Sequence, residues 1–182
     1  MLGSTLKLFL EQELGAIVTI AGRSDTCNYI TSMSDEDEIR DIIRACKPEI
    51  IVNLVGSTSV DLCHTDVNHA LNTNILPSKL LASAAYDMSL KTIHISTDHV
   101  YDAPGLNGEL NVNIVNEYAA SKYLGEAFFL KMENVVLRTN FVGRSLNKQK
   151  ESLTDWVLQR LRLGERTYIL DDVYFSPLTM IQ

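Results

Sequence analysis

The chain alternates between short apolar runs and longer stretches in which apolar residues return every three or four positions. The short runs are strand-length, and the longer stretches wind into helices with one apolar face. TLKLFLEQEL at 5–14 predicts an amphipathic helix stopped by Gly15, a residue suited to the left-handed turn past a helix end. IVTI at 17–20 predicts a short buried strand. Ser34 before Asp35, Glu36 and Asp37 predicts a helix start, since a hydroxyl cap and early acids satisfy free amides and the dipole. That helix carries Ile39, Ile42 and Ile43 on one face and ends before Pro48. EIIVNLVG at 49–56 is almost continuously apolar, as in a parallel strand covered on both faces. Residues 66–88 predict a helix with Leu76, Leu80 and Leu81 at core spacing, and Pro77 demands a kink or a fresh start there. TIHIS at 92–96 is the next strand, followed by a Gly-, Asn- and Pro-rich loop at 102–113. A helix at 117–131, a strand at 135–139 and a final amphipathic helix from 151 to Gly164 complete the pattern.

Strands alternating with helices of this length predict βαβ units, an α/β class and a doubly wound parallel sheet. Ligands of such sheets sit beyond the carboxyl ends of the strands. The polar residues fall there: Asn53 and Gly56 after one strand, Ser96 and Thr97 after the next, Thr139 and Asn140 after the third. The three strand ends are expected to form one rim.

Against that rim, Tyr118 and Lys122 stand four residues apart in NEYAASKYLGE, so a helix points both side chains to one side. A free phenol has a pKa of about 10, and a lysine held beside it favours the phenolate. A hydroxyl of Ser96 or Thr97 is placed to hold a substrate oxygen beside the phenol. The spacing alone also arises in a solvated surface pair, and the strand ends are what raise it above chance. Tyr101 is open between substrate contact and packing, and His94 reads as a packed or partner-bonded core residue.

Composition narrows the classes. The 182 residues suffice for one domain with a real core, and 46% hydrophobic with 21% charged residues is ordinary for a globular protein. A net charge of −7 without a basic cluster argues against nucleic acid. The apolar runs are too short to span a bilayer, and the first residues lack a basic leader with a cleavage site. Cys27, Cys46 and Cys63 are unpatterned, which fits a reducing cytoplasm. Cys63-His64 has no second ligand cluster, so a zinc site is rejected.

The segments KPEIIVNLVGSTSVD, NTNILPSKLLASAA, IHISTDHVYD, NEYAASKYLGE and VVLRTNFVG, in that order, resemble the extended short-chain dehydrogenase/reductases. Within them the chain is most similar to the dTDP-4-dehydrorhamnose reductase group, so a Rossmann-like sheet is expected. The resemblance implies a catalytic set of Thr97, Tyr118 and Lys122, with hydride from a nicotinamide nucleotide and a proton from Tyr118 to a nucleotide-linked 4-keto-6-deoxy sugar. It implies that Lys122 also holds the nicotinamide ribose. Asn53, Val55, Gly56, Ser57 and Ser96 then lie along the cofactor, and Asp98, His99, Asn140 and Phe141 on the substrate side. Of the family's G-x-x-G-x-L-G turn only the last glycine, Gly3, is present, and the first strand is missing. The chain therefore reads as cut at both ends, with 1–145 an incomplete NAD(P)-binding domain and 146–182 the start of a substrate-binding region. Arg23 in AGRSD, with Asp25 nearby, favours NADP over NAD, while Thr31 or Ser32 stands where the family places an acid near the adenine. A sugar-nucleotide epimerase or dehydratase, a non-catalytic dinucleotide-binding regulatory subunit and an inactive fragment remain open. So does a homo-oligomer.

Overall fold

The computed structural model describes residues 2–130, 133–145, 151–169, 171–172 and 175–179. The predicted helix end at 131 and the predicted second-domain start at 146 lie outside them. The chain divides into two compact units, residues 19–138 and residues 1–18 with 139–182.

The 19–138 unit is built on a three-stranded parallel sheet of β3 (Ile50–Asn53), β4 (Lys91–Ile95) and β5 (Val135–Leu137), in that order. Asn53 is level with His94, and Ile95 with Leu137. Ahead of it, β1 (Ala21–Gly22) and β2 (Tyr29–Ile30) form a separate parallel pair. The strand expected at 17–20 is thus displaced to Ala21–Gly22 and joins β2 rather than the main sheet. The reason is local: Asn28 Oδ1 accepts from the Ile20 amide at 2.9 Å, and the Ile20 carbonyl takes the Asn28 and Tyr29 amides.

Helix α2 (Glu36–Cys46) is capped by Asp35 rather than Ser34. The Asp35 carboxylate takes the amides of Asp37 and Glu38, while the Ser34 hydroxyl is bonded to that of Ser32. A short helix, α3 (Val60–Thr65), precedes the expected single helix over 66–88, which breaks into α4 (Val67–Ala70), a wide π turn over Leu71–Ile75 and α5 (Leu76–Asp87). Pro77, in the first turn of α5, lacks the amide that continuous α-helix requires, and the π turn absorbs that gap. Helix α6 (Glu117–Glu126) starts at Asn116, whose side chain takes the Ala119 amide.

Met33, Ile39, Ile43, Leu81 and Ala84 form the main apolar core, with Ile51 and Val55 packed against it. One sheet face is buried, through Asn53, Thr92 and His94, whereas Ile50, Val135 and Leu137 on the other are exposed.

In the other unit, α1 (Leu2–Glu13) is followed by Gly15 at φ 61°, near the predicted stop. There β6 (Phe141–Val142) pairs in parallel with β7 (Leu178–Thr179). Helix α7 (Leu153–Leu163) has a capping box between Ser152 and Asp155 and ends at a left-handed Gly164. Among the described residues no helix is long and apolar enough to cross a membrane.

His94 makes this fold sensitive to acid. It is 1% exposed, stacked on Phe129 at 4.5 Å, and burial together with the Lys122 charge holds its pKa at about 3. An unfolded histidine takes its proton near 6.5. The unfolded chain therefore binds the extra proton between these values, and stability falls as pH drops through that window. Urea unfolding should show a loss of about 1 kcal/mol from this residue between pH 7.5 and roughly pH 5.5, with a visibly flatter dependence in His94→Gln. An equal dependence in both proteins would contradict it.

Candidate active site

The buried face of α6 is polar: Tyr118, Ser121, Lys122 and Glu126 point inward beside Ala119 and Gly125. Hydrophobic burial does not explain such a stripe, since each polar group needs a partner to offset its desolvation. The partners are successive residues at the end of β4. Lys122 Nζ donates to the Ile95 carbonyl at 2.8 Å. Ser96 Oγ donates to Glu126. The Thr97 side chain stands beside the Tyr118 hydroxyl, close enough to favour its ionised form, and its Oγ1 accepts from the His99 amide at 3.2 Å. Positions 118, 122 and 126 of one helix face thus hold 97, 95 and 96. The structure brings together Thr97, Tyr118 and Lys122, and it decides between the two hydroxyls left open by the sequence. Ser96 is committed to Glu126, and Thr97 stands by the phenol.

The electrostatics correct one expectation. Lys122 was expected to draw the phenol down, yet the Tyr118 pKa is raised. Burial is the main cause, the neighbouring Thr97 side chain opposes it, and Asp98 and Cys63 add to the rise. Lys122 is bound to Ile95 instead, and burial lowers it to about 8, with Glu126 pulling the other way. Asp98, beside the phenol, has one carboxylate oxygen buried without a hydrogen-bond partner among the described residues. His99 is exposed and stands edge-on to Tyr118 at 5.4 Å.

The segment after β3 is fixed from both sides. Asn53 bonds His94 Nδ1 at 2.9 Å and takes the Val55 amide at 3.0 Å. The Ser57 amide donates to Asn74 Oδ1 at 2.7 Å, and His69 Nε2 meets Ser57 Oγ at 2.9 Å. Between them Gly56 has no room for a side chain, because a Cβ would lie 2.9 Å from Asn74 Oδ1 and 3.4 Å from Lys122 Nζ.

Sequence reasoning missed Asn74, Glu126 and Arg138. Asn74, in the π turn, also donates to Ser121 Oγ at 2.7 Å and so joins the β3 loop to α6. Arg138 forks onto Glu126 at 2.7–3.1 Å and donates to the Tyr101 hydroxyl at 2.9 Å and the Glu109 carbonyl at 2.7 Å. Tyr101 is therefore tied to Arg138. The available signal for Glu126 was its place four residues past Lys122, on the same helix face.

Arg23 is exposed in the loop between β1 and β2. Thr31 is buried, donating to Glu38 at 2.6 Å and accepting from the Met33 amide at 3.0 Å. Gly3 sits in the first turn of α1, and Asn140 and Phe141 stand at the start of β6, in the other unit. Asn140 Oδ1 accepts from the Phe141 amide at 2.8 Å.

A family model described as RmlD substrate binding domain matches residues 1–180. The dTDP-4-dehydrorhamnose reductase of Aggregatibacter actinomycetemcomitans is 30% identical over 60% of this chain and 39% of its own length. That of Escherichia coli strain K12 is 25% identical over 82% of this chain and 51% of its own length. The chain thus spans about half, or less, of these relatives. The crystal structure of dTDP-4-dehydrorhamnose reductase from Bacillus anthracis in complex with NADP superposes with a TM-score of 0.78 at 26% identity, covering 99% of this chain and 63% of that one.

Gly56→Ala probes the packing at this site. Overpacking a fixed site of this kind costs about 1–3 kcal/mol, so the urea midpoint should fall accordingly. An unchanged midpoint would show that the Ser57–Asn74 contact yields freely.

Proposed function

This chain belongs to the RmlD substrate binding domain family, and on that premise we propose that it carries the catalytic side of a reductase for nucleotide-linked 4-keto-6-deoxy sugars. NADP is the proposed cofactor, with NAD as the second choice. The observation that carries this reading is the meeting of Thr97, Tyr118 and Lys122 at the end of β4.

The residues present fit a nicotinamide nucleotide. At Gly56 the backbone passes Lys122 Nζ with no space for a Cβ, which suits close approach of a ligand to main chain. An ammonium has three donors, and Ile95 occupies one, leaving others for ribose hydroxyls. Val55 and Ser57 flank that approach, and Arg23 is proposed for the extra phosphate of NADP. Residues 1–145 would serve the dinucleotide and 146–182 would begin the sugar-binding region.

When bound, the nicotinamide supplies hydride to the keto carbon. The work of this chain is proton placement. Thr97 would hold the carbonyl oxygen beside Tyr118, whose hydroxyl delivers a proton as negative charge builds there. The raised phenol pKa keeps Tyr118 protonated at neutral pH, which suits a donor. The Lys122 cation would stabilise the phenolate left behind. Asp98 and His99 are proposed for sugar hydroxyls, with Asn140 and Phe141 as further substrate contacts.

The test is Tyr118→Phe in a version extended to the relatives' length. With NADPH and a dTDP-linked 4-keto-6-deoxy sugar, the loss of nicotinamide absorbance should slow by a factor of about 100 or more, while circular dichroism stays unchanged. A rate within about twofold of the parent would remove Tyr118 as the proton donor.

A further inference from the structure

Glu126 is 2% exposed, and a buried carboxylate is costly unless held by strong donors. It has two such donors, Ser96 on the loop after β4 and Arg138 at the end of β5. It also lies one helical turn beyond Lys122 on the same buried face of α6. Lys122 grips Ile95, and Glu126 grips the next residue. Two opposite charges on one helix face thus clamp adjacent residues of the same strand end. We propose that Glu126 is a positioning residue for the site, anchoring the Ser96–Thr97 turn and supplying the countercharge to Lys122.

The other groups nearby do not take that place. His94 on β4 is neutral at neutral pH. Tyr118 on α6 stays protonated, and Asp98 and Cys63 press on its hydroxyl. Arg138 has the wrong sign and spends itself on Glu126, Tyr101 and Glu109. Among the described residues only Glu126 pulls Lys122 back up against burial. Arg138, stacked 5.4 Å from the Tyr101 and Tyr123 ring centres, then sets how much of that charge Lys122 feels. The functional meaning of this countercharge rests on the reductase reading, in which Lys122 acts as a cation.

The test needs no substrate or cofactor, so its failure is separable from failure of that reading. In the 182-residue chain carrying 13Cε-labelled lysine, Lys122 is identified by the signal lost in Lys122→Arg, and its titration midpoint is followed by NMR. The native midpoint is expected at about 8. Glu126→Gln, which keeps an acceptor for Ser96, should lower it by about one pH unit. Ser96→Ala, which keeps the carboxylate, should not lower it. A purely structural role predicts the reverse, since a loosened site rehydrates Lys122 and moves it up towards about 10.4. A midpoint that stays or rises in Glu126→Gln overturns the proposal. Should that variant not fold, Arg138→Leu decides: with the ring signals of His94 and Phe129 unmoved, a rise supports the countercharge, and an unmoved or lower midpoint overturns it.

Discussion

The structure around the site depends on one constraint, the requirement that a polar helix face be satisfied once buried. Tyr118, Lys122 and Glu126 lie one turn apart on α6 and meet Thr97, Ile95 and Ser96. A buried polar group left without its partner costs about 1–3 kcal/mol, more if charged. A shift of α6 along the sheet would break the Lys122 and Glu126 bonds together and part Tyr118 from Thr97, so its register against β4 is fixed more sharply than apolar packing alone fixes it. The proposed chemistry would inherit that precision, because the ammonium is held by a bond that also holds the helix.

A second layer keeps the first in place. The π turn brings Asn74 between Ser57 and Ser121, joining the segment after β3 to α6. Gly56 passes beneath it where no side chain fits. Asn53 spans to His94, and His94 stacks on Phe129 just beyond α6. Burial depresses both His94 and Lys122, and the Lys122 charge lowers His94 further. The cost of that environment is an ammonium poised near neutrality, a property useful in proton chemistry.

The sequence made local features legible. The four-residue spacing of Tyr118 and Lys122, the strand ends at Asn53 and Thr97 and the alternation of strands with helices all appear in the fold. What it hid was long-range. Glu126 and Arg138 look like surface charges until tertiary contact pairs them, and Asn74 reads as one more residue of a continuous helix until the π turn at Leu71–Ile75 turns it inward to Ser57 and Ser121. The 17–20 strand was lost to Asn28, a turn residue whose side chain competes for the Ile20 amide. The direction of the Tyr118 shift was misjudged because spacing reports proximity along a helix, while burial, the larger effect, is set by the packed site.

We propose Thr97, Tyr118 and Lys122 as a site for reducing a sugar ketone. Its most direct test follows the hydride in a version extended to the relatives' length, using NADPH deuterated at the transferable position of the nicotinamide ring. Mass spectrometry of the nucleotide sugar should then find one deuterium on the former keto carbon. Consumption of the sugar without deuterium in the product would contradict the claim.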